Sequence, residues 1–167
     1  MSFSLLPRFK TGELTDLTPE LLDRQGIRLL MMDFDNTIVP YTTDVPTEKM
    51  AAWLEMMSAS HIPICVVSNS RNDRVKIFCG KYGIPVIVRA KKPGTKGINE
   101  CLAKFGVKPA DAALVGDQIF TDTLGGNRAG VKTILVRAID NHNIWLKLRH
   151  VAELPFIAAA GKRRITK

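Results

Sequence analysis

The stretch that decides the fold reads Leu29-Leu30-Met31-Met32-Asp33-Phe34-Asp35-Asn36-Thr37. An apolar run ends abruptly in two aspartates, Asp33 and Asp35, and the small hydroxyl residue Thr37 follows. Two unpaired carboxylates inside a buried strand would be very costly. At the end of a parallel strand, by contrast, they would lie in the crevice where open α/β sheets bind ligands. Two close negative charges there call for a cation, and oxygen ligands favour Mg²⁺.

The composition is that of an ordinary folded chain. Its 167 residues, 46% of them hydrophobic and 24% charged, fit one domain. No apolar run reaches the length of about 18 residues that a membrane helix needs. The N-terminus lacks the basic flank and apolar core of a secretory signal, so none is expected. The three cysteines, Cys65, Cys79 and Cys101, lack CxxC spacing, which favours reduced, buried thiols in a cytoplasmic protein.

The net charge of +8 suits an anionic substrate, a membrane surface or nucleic acid. Part of this charge lies in a C-terminal tail, residues 155–167, for which we expect a solubility role, with attraction to lipid or nucleic acid as alternatives. A lead-in over residues 1–26 precedes the predicted core at about 27–137. The whole chain, 1–167, is therefore predicted to form a single domain.

Buried strands alternate with amphipathic helices along this core. The predicted strands are Ile27–Met32, Ile62–Val67, Ile84–Val88, Ala112–Val115 and Val131–Val136. The predicted helices cover Pro46–Ser60, Asp73–Tyr82, Thr95–Phe105, Phe120–Ala129 and 143–151, with an earlier helix starting at Thr18 and Pro19. This pattern predicts an α/β, Rossmann-like fold, with a five-stranded parallel sheet and helices on both faces.

Polar residues follow the predicted strands directly. They are Asp33 and Asp35 after the first strand, Ser68 and Asn69 after the second, Lys92 after the third, and Asp117 and Asp122 after the fourth. Each could instead cap a helix or sit in a turn. Because the carboxyl ends of parallel strands share one edge, the set as a whole predicts one site with acids, a hydroxyl and a cation.

The chemistry that fits this set is phosphoryl transfer. A carboxylate can accept the phosphoryl group as an aspartyl-phosphate, which divides one difficult step into two easier ones. A lysine and Mg²⁺ would offset the charge on the transferring oxygens. A second acid would protonate the leaving oxygen and then activate water.

Four motifs resemble those of the haloacid dehalogenase (HAD) superfamily of phosphatases. They are Asp33-Phe34-Asp35-Asn36-Thr37, Val66-Val67-Ser68-Asn69, Lys92-Pro93, and Val115-Gly116-Asp117 with Asp122. Within the superfamily the chain resembles subclass IIIA and its YqeG-like branch, which is related to phosphatidylglycerophosphate phosphatases. The resemblance implies a phosphatase; it does not exclude a phosphomutase, and it makes a dehalogenase the weaker interpretation because Asp35 is retained.

The resemblance also implies a role for each motif residue. Asp33 would be the nucleophile and a Mg²⁺ ligand, and Asp35 the general acid and base, with its backbone carbonyl on the metal. Ser68, the backbone amide of Asn69, and Lys92 would hold the phosphate. Asp117 would be a metal ligand. Thr37 and Asp122 would lie behind these groups, and Asp122 would orient Lys92 or a metal-bound water.

The segments between the first three predicted strands have no room for a cap domain, so we expect an open site. Such a site would suit a large substrate, or would need a partner subunit to act as its lid. By analogy with the branch, the favoured substrate is phosphatidylglycerophosphate, met at the inner membrane surface. The alternatives are soluble sugar or nucleotide phosphates and nucleic-acid ends. A receiver-like module is disfavoured because no acid ends the third strand. A phosphate- or RNA-binding protein is disfavoured because no aromatic-basic motif is present.

Overall fold

A computed structural model describes residues 4–140, 154–159, 161 and 165. Its centre is one sheet of six parallel strands in the order β1-β6-β5-β2-β3-β4. The strands are β1 (Phe9–Lys10), β2 (Leu29–Met32), β3 (Ile64–Val67), β4 (Val86–Ile87), β5 (Ala112–Gly116) and β6 (Lys132–Leu135). The helices are α1 (Pro19–Arg24), α2 (Glu48–Ser58), α3 (Asp73–Lys81), α4 (Lys96–Phe105) and α5 (Leu124–Ala129).

The predicted α/β class and parallel sheet are confirmed, but the predicted count of five strands is wrong. The sixth strand, β1, comes from the lead-in and extends the β6 edge of the sheet, with Phe9 opposite Ile134. It holds two half-buried residues, which is too short for a periodicity to show in the sequence. The backbone N–H of Arg8 donates to the Thr133 hydroxyl at 3.0 Å, which fixes this strand beside β6.

Apolar layers cover both faces of the sheet because successive side chains of a strand point to opposite sides. Leu30 and Met32 pack with the buried faces of α1, α2 and α3. Leu29 and Met31 pack with the buried face of α4. All four residues of β2 are fully buried. This explains the uninterrupted apolar run before Asp33, as expected for a central strand covered on both sides.

Local signals in the sequence set several helix ends. The Thr18 hydroxyl accepts from the backbone N–H of Leu21 at 3.3 Å, with Pro19 in the first turn of α1. Gly106 ends α4 in the left-handed conformation, at φ 65°. A π-helical turn over Ile119–Thr123 leads into α5. The helix predicted over 143–151 lies outside the described residues.

The segments between the central strands are short, as predicted. Residues 33–63, all described, hold a loop and α2, and residues 68–85 hold a loop and α3. Neither segment contains an inserted domain that could cover the carboxyl edge of β2 and β3. Among the described residues, no helix has both the length and the apolar content required to cross a bilayer.

Two helical glycines offer a matched test of this packing. A Cβ on Gly126 of α5 would lie 2.5 Å from Cγ2 of Thr133. That side chain cannot easily move, because its hydroxyl accepts from Arg8 and donates to Asn127. We expect Gly126→Ala to lower the free energy of unfolding by about 1–3 kcal/mol, measured by urea denaturation.

Gly80 in α3 is the control, because a Cβ there meets no atom within 4 Å. Gly80→Ala should raise the free energy of unfolding by roughly 0.5–1 kcal/mol, since alanine loses less conformational entropy in a helix. Equal effects of the two substitutions would contradict the close packing of α5 on β6.

Candidate active site

The first two candidate residues come from the turn that follows β2. The backbone N–H of Asp33 donates to Val115 of β5 at 2.9 Å, so Asp33 continues the sheet ladder to its carboxyl edge. The chain then turns tightly, with Asn36 at φ 62° and its N–H donating to Val39 at 2.7 Å. Phe34 points into the core and packs edge-on against Phe78, with ring centroids 5.1 Å apart. Asp33 and Asp35 are thereby left to face the sheet edge.

Lys92 lies between two carboxylates and is almost fully buried, with its side chain 1% exposed. Its Nζ atom donates to Oδ1 of Asp33 and to Oδ1 of Asp122, each at 2.6 Å. Burial alone would lower the pKa of Lys92, but Asp122 and Asp33 outweigh burial and raise it above its usual value. The ammonium is therefore permanently charged at neutral pH and holds both carboxylates in place.

The loop that carries Lys92 is held by a side chain from the neighbouring strand end. The Asn69 amide donates to the Lys92 carbonyl at 2.8 Å and accepts from the Lys92 N–H at 2.7 Å. In the residues that lead to Lys92, Arg89 and Lys91 both have left-handed backbone, at φ 53° and 58°. Gly97 of α4 packs so closely on this loop that a Cβ would lie 2.5 Å from Cβ of Ala90. The sequence indicated Asn69 only as a backbone donor, so this role of its side chain was missed.

Asp117 and Asp122 complete an acidic cluster with Asp33. All three are buried, and one carboxylate oxygen from each lies within 4.8 Å of the others. Burial raises the pKa of the Asp122 carboxyl, Lys92 acts against this rise, and Asp33 adds to it. Buried carboxylate oxygens at this spacing fit a hard divalent cation such as Mg²⁺. The Asp35 side chain is not part of this cluster.

The close approach of Asp122 depends on Gly116, the last residue of β5. A Cβ on Gly116 would overlap the Asp122 carboxylate, well inside van der Waals contact. The Asp122 carboxylate also accepts from the backbone N–H of Gln118 at 3.2 Å. The glycine of the fourth motif is therefore a steric requirement for the contact between Asp122 and Lys92.

Asp35 is half-buried and contacts a residue that the sequence did not single out. Its Oδ1 accepts from Nη1 of Arg74, in the first turn of α3, at 2.9 Å. Burial raises the pKa of the Asp35 carboxyl, Arg74 acts against this, and Asp33 adds to the rise. A cation in the first turn opposes the helix dipole. This unfavourable placement was the one signal that could have drawn attention to Arg74.

Two predicted site residues remain to be described, Ser68 and Thr37. Ser68 is 1% exposed, and its hydroxyl accepts from the backbone N–H of Ser70 at 3.0 Å. Thr37 is buried, and its hydroxyl makes no hydrogen bond within the described part of the chain. The expected contact of Thr37 with the phosphate and metal ligands stays a prediction.

A cavity of about 190 Å³ opens at this edge of the sheet. It is lined by Asp33, Asp35, Tyr41, Ser68, Asn69, Ser70, Lys92, Gln118 and Thr121. Five predicted site residues thus share one cavity, while Asp117 and Asp122 are grouped with Asp33 through their carboxylates. Tyr41, Gln118 and Thr121 were not among the predicted site residues. Because pockets that enclose a small molecule measure roughly 300–1,000 Å³, this cavity suits a phosphate group rather than a whole substrate.

Comparisons with known proteins agree with this geometry. Residues 2–140 match the family described as mitochondrial PGP phosphatase. The probable phosphatase YqeG of Bacillus subtilis is 39% identical over 120 residues, which cover 72% of this chain and 70% of that protein. Phosphatidylglycerophosphate phosphatase 1 of Arabidopsis thaliana, chloroplastic/mitochondrial, is 29% identical over 170 residues, which cover 95% of this chain. This chain spans about half the length of the Arabidopsis protein, 45% of it.

Among solved structures, a HAD-superfamily hydrolase from Ehrlichia chaffeensis shares the fold. Its TM-score is 0.53 at 13% identity, and the match covers 81% of this chain and 98% of that one. The family match and the Bacillus subtilis relative define a phosphatase, and its parallel sheet has the fold of this HAD-superfamily hydrolase. More narrowly, the chain belongs to the mitochondrial PGP phosphatase family, and the predicted resemblance to its YqeG-like branch is confirmed.

Replacing Gly116 tests the role of the close packing beneath Lys92. Gly116→Ala should displace the Asp122 carboxylate and release Lys92 from one of its two ion pairs. Because displacement of a catalytic group by about 1 Å can reduce activity by a factor of roughly 10², we expect a loss of that order in kcat. Phosphate release with an aryl phosphate would measure it.

Gly80→Ala is again the matched control, since nothing lies near a Cβ at that position. Circular dichroism should show that both variants are folded at the assay temperature. A folded Gly116→Ala protein with the kcat of wild type would show that the contact between Asp122 and Lys92 is dispensable.

Proposed function

We propose that this phosphatase is a Mg²⁺-dependent phosphomonoester hydrolase that works through an aspartyl-phosphate on Asp33. The observation that carries the proposal is the Lys92 ammonium, buried 2.6 Å from the Asp33 carboxylate beside a solvent-open cavity. A carboxylate alone would repel a phosphate dianion. A fixed positive charge beside Asp33 offsets that repulsion and stabilises charge on the transferring oxygens.

The reaction would proceed in two displacements. An Asp33 oxygen attacks phosphorus, the bond from phosphorus to the leaving oxygen breaks, and Asp35 gives its proton to that oxygen. Asp35, now ionised, takes a proton from water while the water oxygen attacks phosphorus and the bond to Asp33 breaks. Inorganic phosphate leaves, and Asp33 and Asp35 return to their starting states.

Ser68, the backbone N–H of Asn69, and Lys92 would bind the phosphate in the cavity. Of the acidic cluster, Asp33 and Asp117 would hold Mg²⁺ together with the Asp35 carbonyl, while Asp122 holds Lys92. When bound, Mg²⁺ would supply positive charge that polarises the phosphoryl oxygens.

We propose phosphatidylglycerophosphate as the substrate, in line with the family match and the name of the Arabidopsis relative. The cavity accepts the phosphate, and the lipid's glycerol and acyl parts would stay outside. Tyr41, which lines the cavity, is 43% exposed, and Val45, which directly follows residues 40–44, is 73% exposed. Exposed Arg71 and Lys91 are neighbours of cavity residues in the sequence. An apolar and basic rim suits the surface of an anionic membrane, so we place the protein in the cytoplasm, at the inner membrane surface.

A phosphate-release assay on several esters tests this assignment. Phosphatidylglycerophosphate in anionic vesicles should be hydrolysed with a kcat/KM at least roughly 10²-fold above that for glycerol 3-phosphate or nucleoside monophosphates, because only the lipid places the rim on a membrane. A soluble sugar phosphate or nucleotide that matches the lipid would replace it as the substrate.

Asp33→Asn is the companion variant, and it should lose all measurable turnover, because the amide is not a nucleophile. Asp73→Asn removes the same charge from a side chain that is 80% exposed, and it should retain wild-type activity. Turnover of the Asp33→Asn protein at the wild-type rate would reject the aspartyl-phosphate.

Asp117→Asn tests the metal site. Because the substitution removes one negative oxygen from the acidic cluster, it should raise the Mg²⁺ concentration for half-maximal activity by about 10-fold or more. Titration calorimetry with Mg²⁺ alone should show the same loss of affinity, with Asp73→Asn as the unaffected control. Equal Mg²⁺ affinity in the two variants would remove Asp117 from the metal ligands.

A further inference from the structure

Arg74 connects the proposed acid and base to the loop that borders the cavity. Its Nη1 atom donates to Asp35, and its Nη2 atom donates to the carbonyls of Pro40 at 3.0 Å and Thr43 at 3.1 Å. Its Nε atom pairs with Asp44. Residues 40–44, here called the flap, include Tyr41, which lines the cavity.

The guanidinium is enclosed by these contacts. The Arg74 side chain is 18% exposed, and its Cζ atom lies 5.2 Å from the centroid of the Phe34 ring. Phe34 is itself fully buried and packs on Phe78 of α3. The position of Arg74 is therefore fixed from below by the core and from the sides by Asp35 and the flap.

We propose that Arg74 is a positioning residue that aims the Asp35 carboxylate at the cavity and links its placement to the flap. This inference rests on the proposed function, in which Asp35 transfers the proton. Arg74 itself does not line the cavity. Its effect on the reaction would therefore pass through Asp35.

Only an arginine can make all of these contacts together. The planar guanidinium presents five N–H donors in fixed directions, whereas a lysine ammonium is a single point charge on a flexible stem. A lysine at position 74 could reach either Asp35 or the flap carbonyls. The identity of this residue therefore matters beyond its charge.

The leaving group provides the decisive readout. An alkyl oxygen needs a proton from Asp35 to leave, whereas p-nitrophenolate leaves without one. In rapid-mixing experiments, Arg74→Ala should leave the p-nitrophenolate burst within about 3-fold of wild type. Formation of the aspartyl-phosphate from an alkyl ester should slow by about 10²-fold, the lower end of general acid catalysis. The KM values should change little, and Arg74→Lys should be intermediate for the alkyl ester.

Lys76→Ala is the control, because it removes a cation from the same helix while its side chain is 57% exposed and paired only at the surface with Asp73. It should behave as wild type with both esters. If Arg74→Ala does not fold, Arg74→Lys gives the same comparison with its charge retained.

A double variant separates positioning from a general structural effect. In the Asp35→Asn background, Arg74→Ala should cause no further loss with the alkyl ester, because its target is already gone. Losses that multiply, or equal slowing of both esters, would overturn the proposal while leaving the phosphatase assignment intact. A wild-type protein without any phosphatase activity would instead reject the proposed function itself.

Discussion

The buried ion pairs of Lys92 are the interaction on which the rest of the site depends. Taking an ammonium out of water costs several kcal/mol, and good geometry with both carboxylates is needed to offset that cost. Lys92 has this geometry, at 2.6 Å from Asp33 and from Asp122. When ionised, the three carboxylates carry three negative charges, and the Lys92 ammonium offsets one of them. That balance would match a divalent cation, so in the proposed function the same lysine sets both the phosphate site and the charge left for the metal.

The sequence predicted the central fold well because burial is strongest there. The fully buried strand β2 reads as an unbroken apolar run, and Gly106 marks the end of α4 by its left-handed backbone. The edge strand β1 could not be found in this way. Its two half-buried residues are held by pairing with β6 and by the hydrogen bond from Arg8 to Thr133. Neither interaction produces a recognisable pattern in the sequence around β1.

The candidate site likewise contains residues that the sequence could predict and residues that it could not. Residues that follow strands were predictable, because topology alone brings strand ends together. The contributions of Asn69, Gly116 and Arg74 depend on distances across loops: an amide that pairs with the backbone of Lys92, a missing Cβ beside Asp122, and a guanidinium that reaches Asp35. Such distances are set by the packing of the folded chain. A single sequence gives the types of these residues but not the distances between them.

The small size of the cavity has a consequence for specificity. A pocket of about 190 Å³ would hold only the phosphate, which all phosphomonoesters share, so in the proposed function discrimination comes from groups at its rim. Tyr41 belongs to both the cavity wall and the flap, and Arg74 bonds the flap carbonyls on either side of it. A substrate that presses on Tyr41 would therefore act on the residue that also holds Asp35. In a site without a cap domain, this linkage would let contact with the substrate's outer part influence proton transfer at its phosphate.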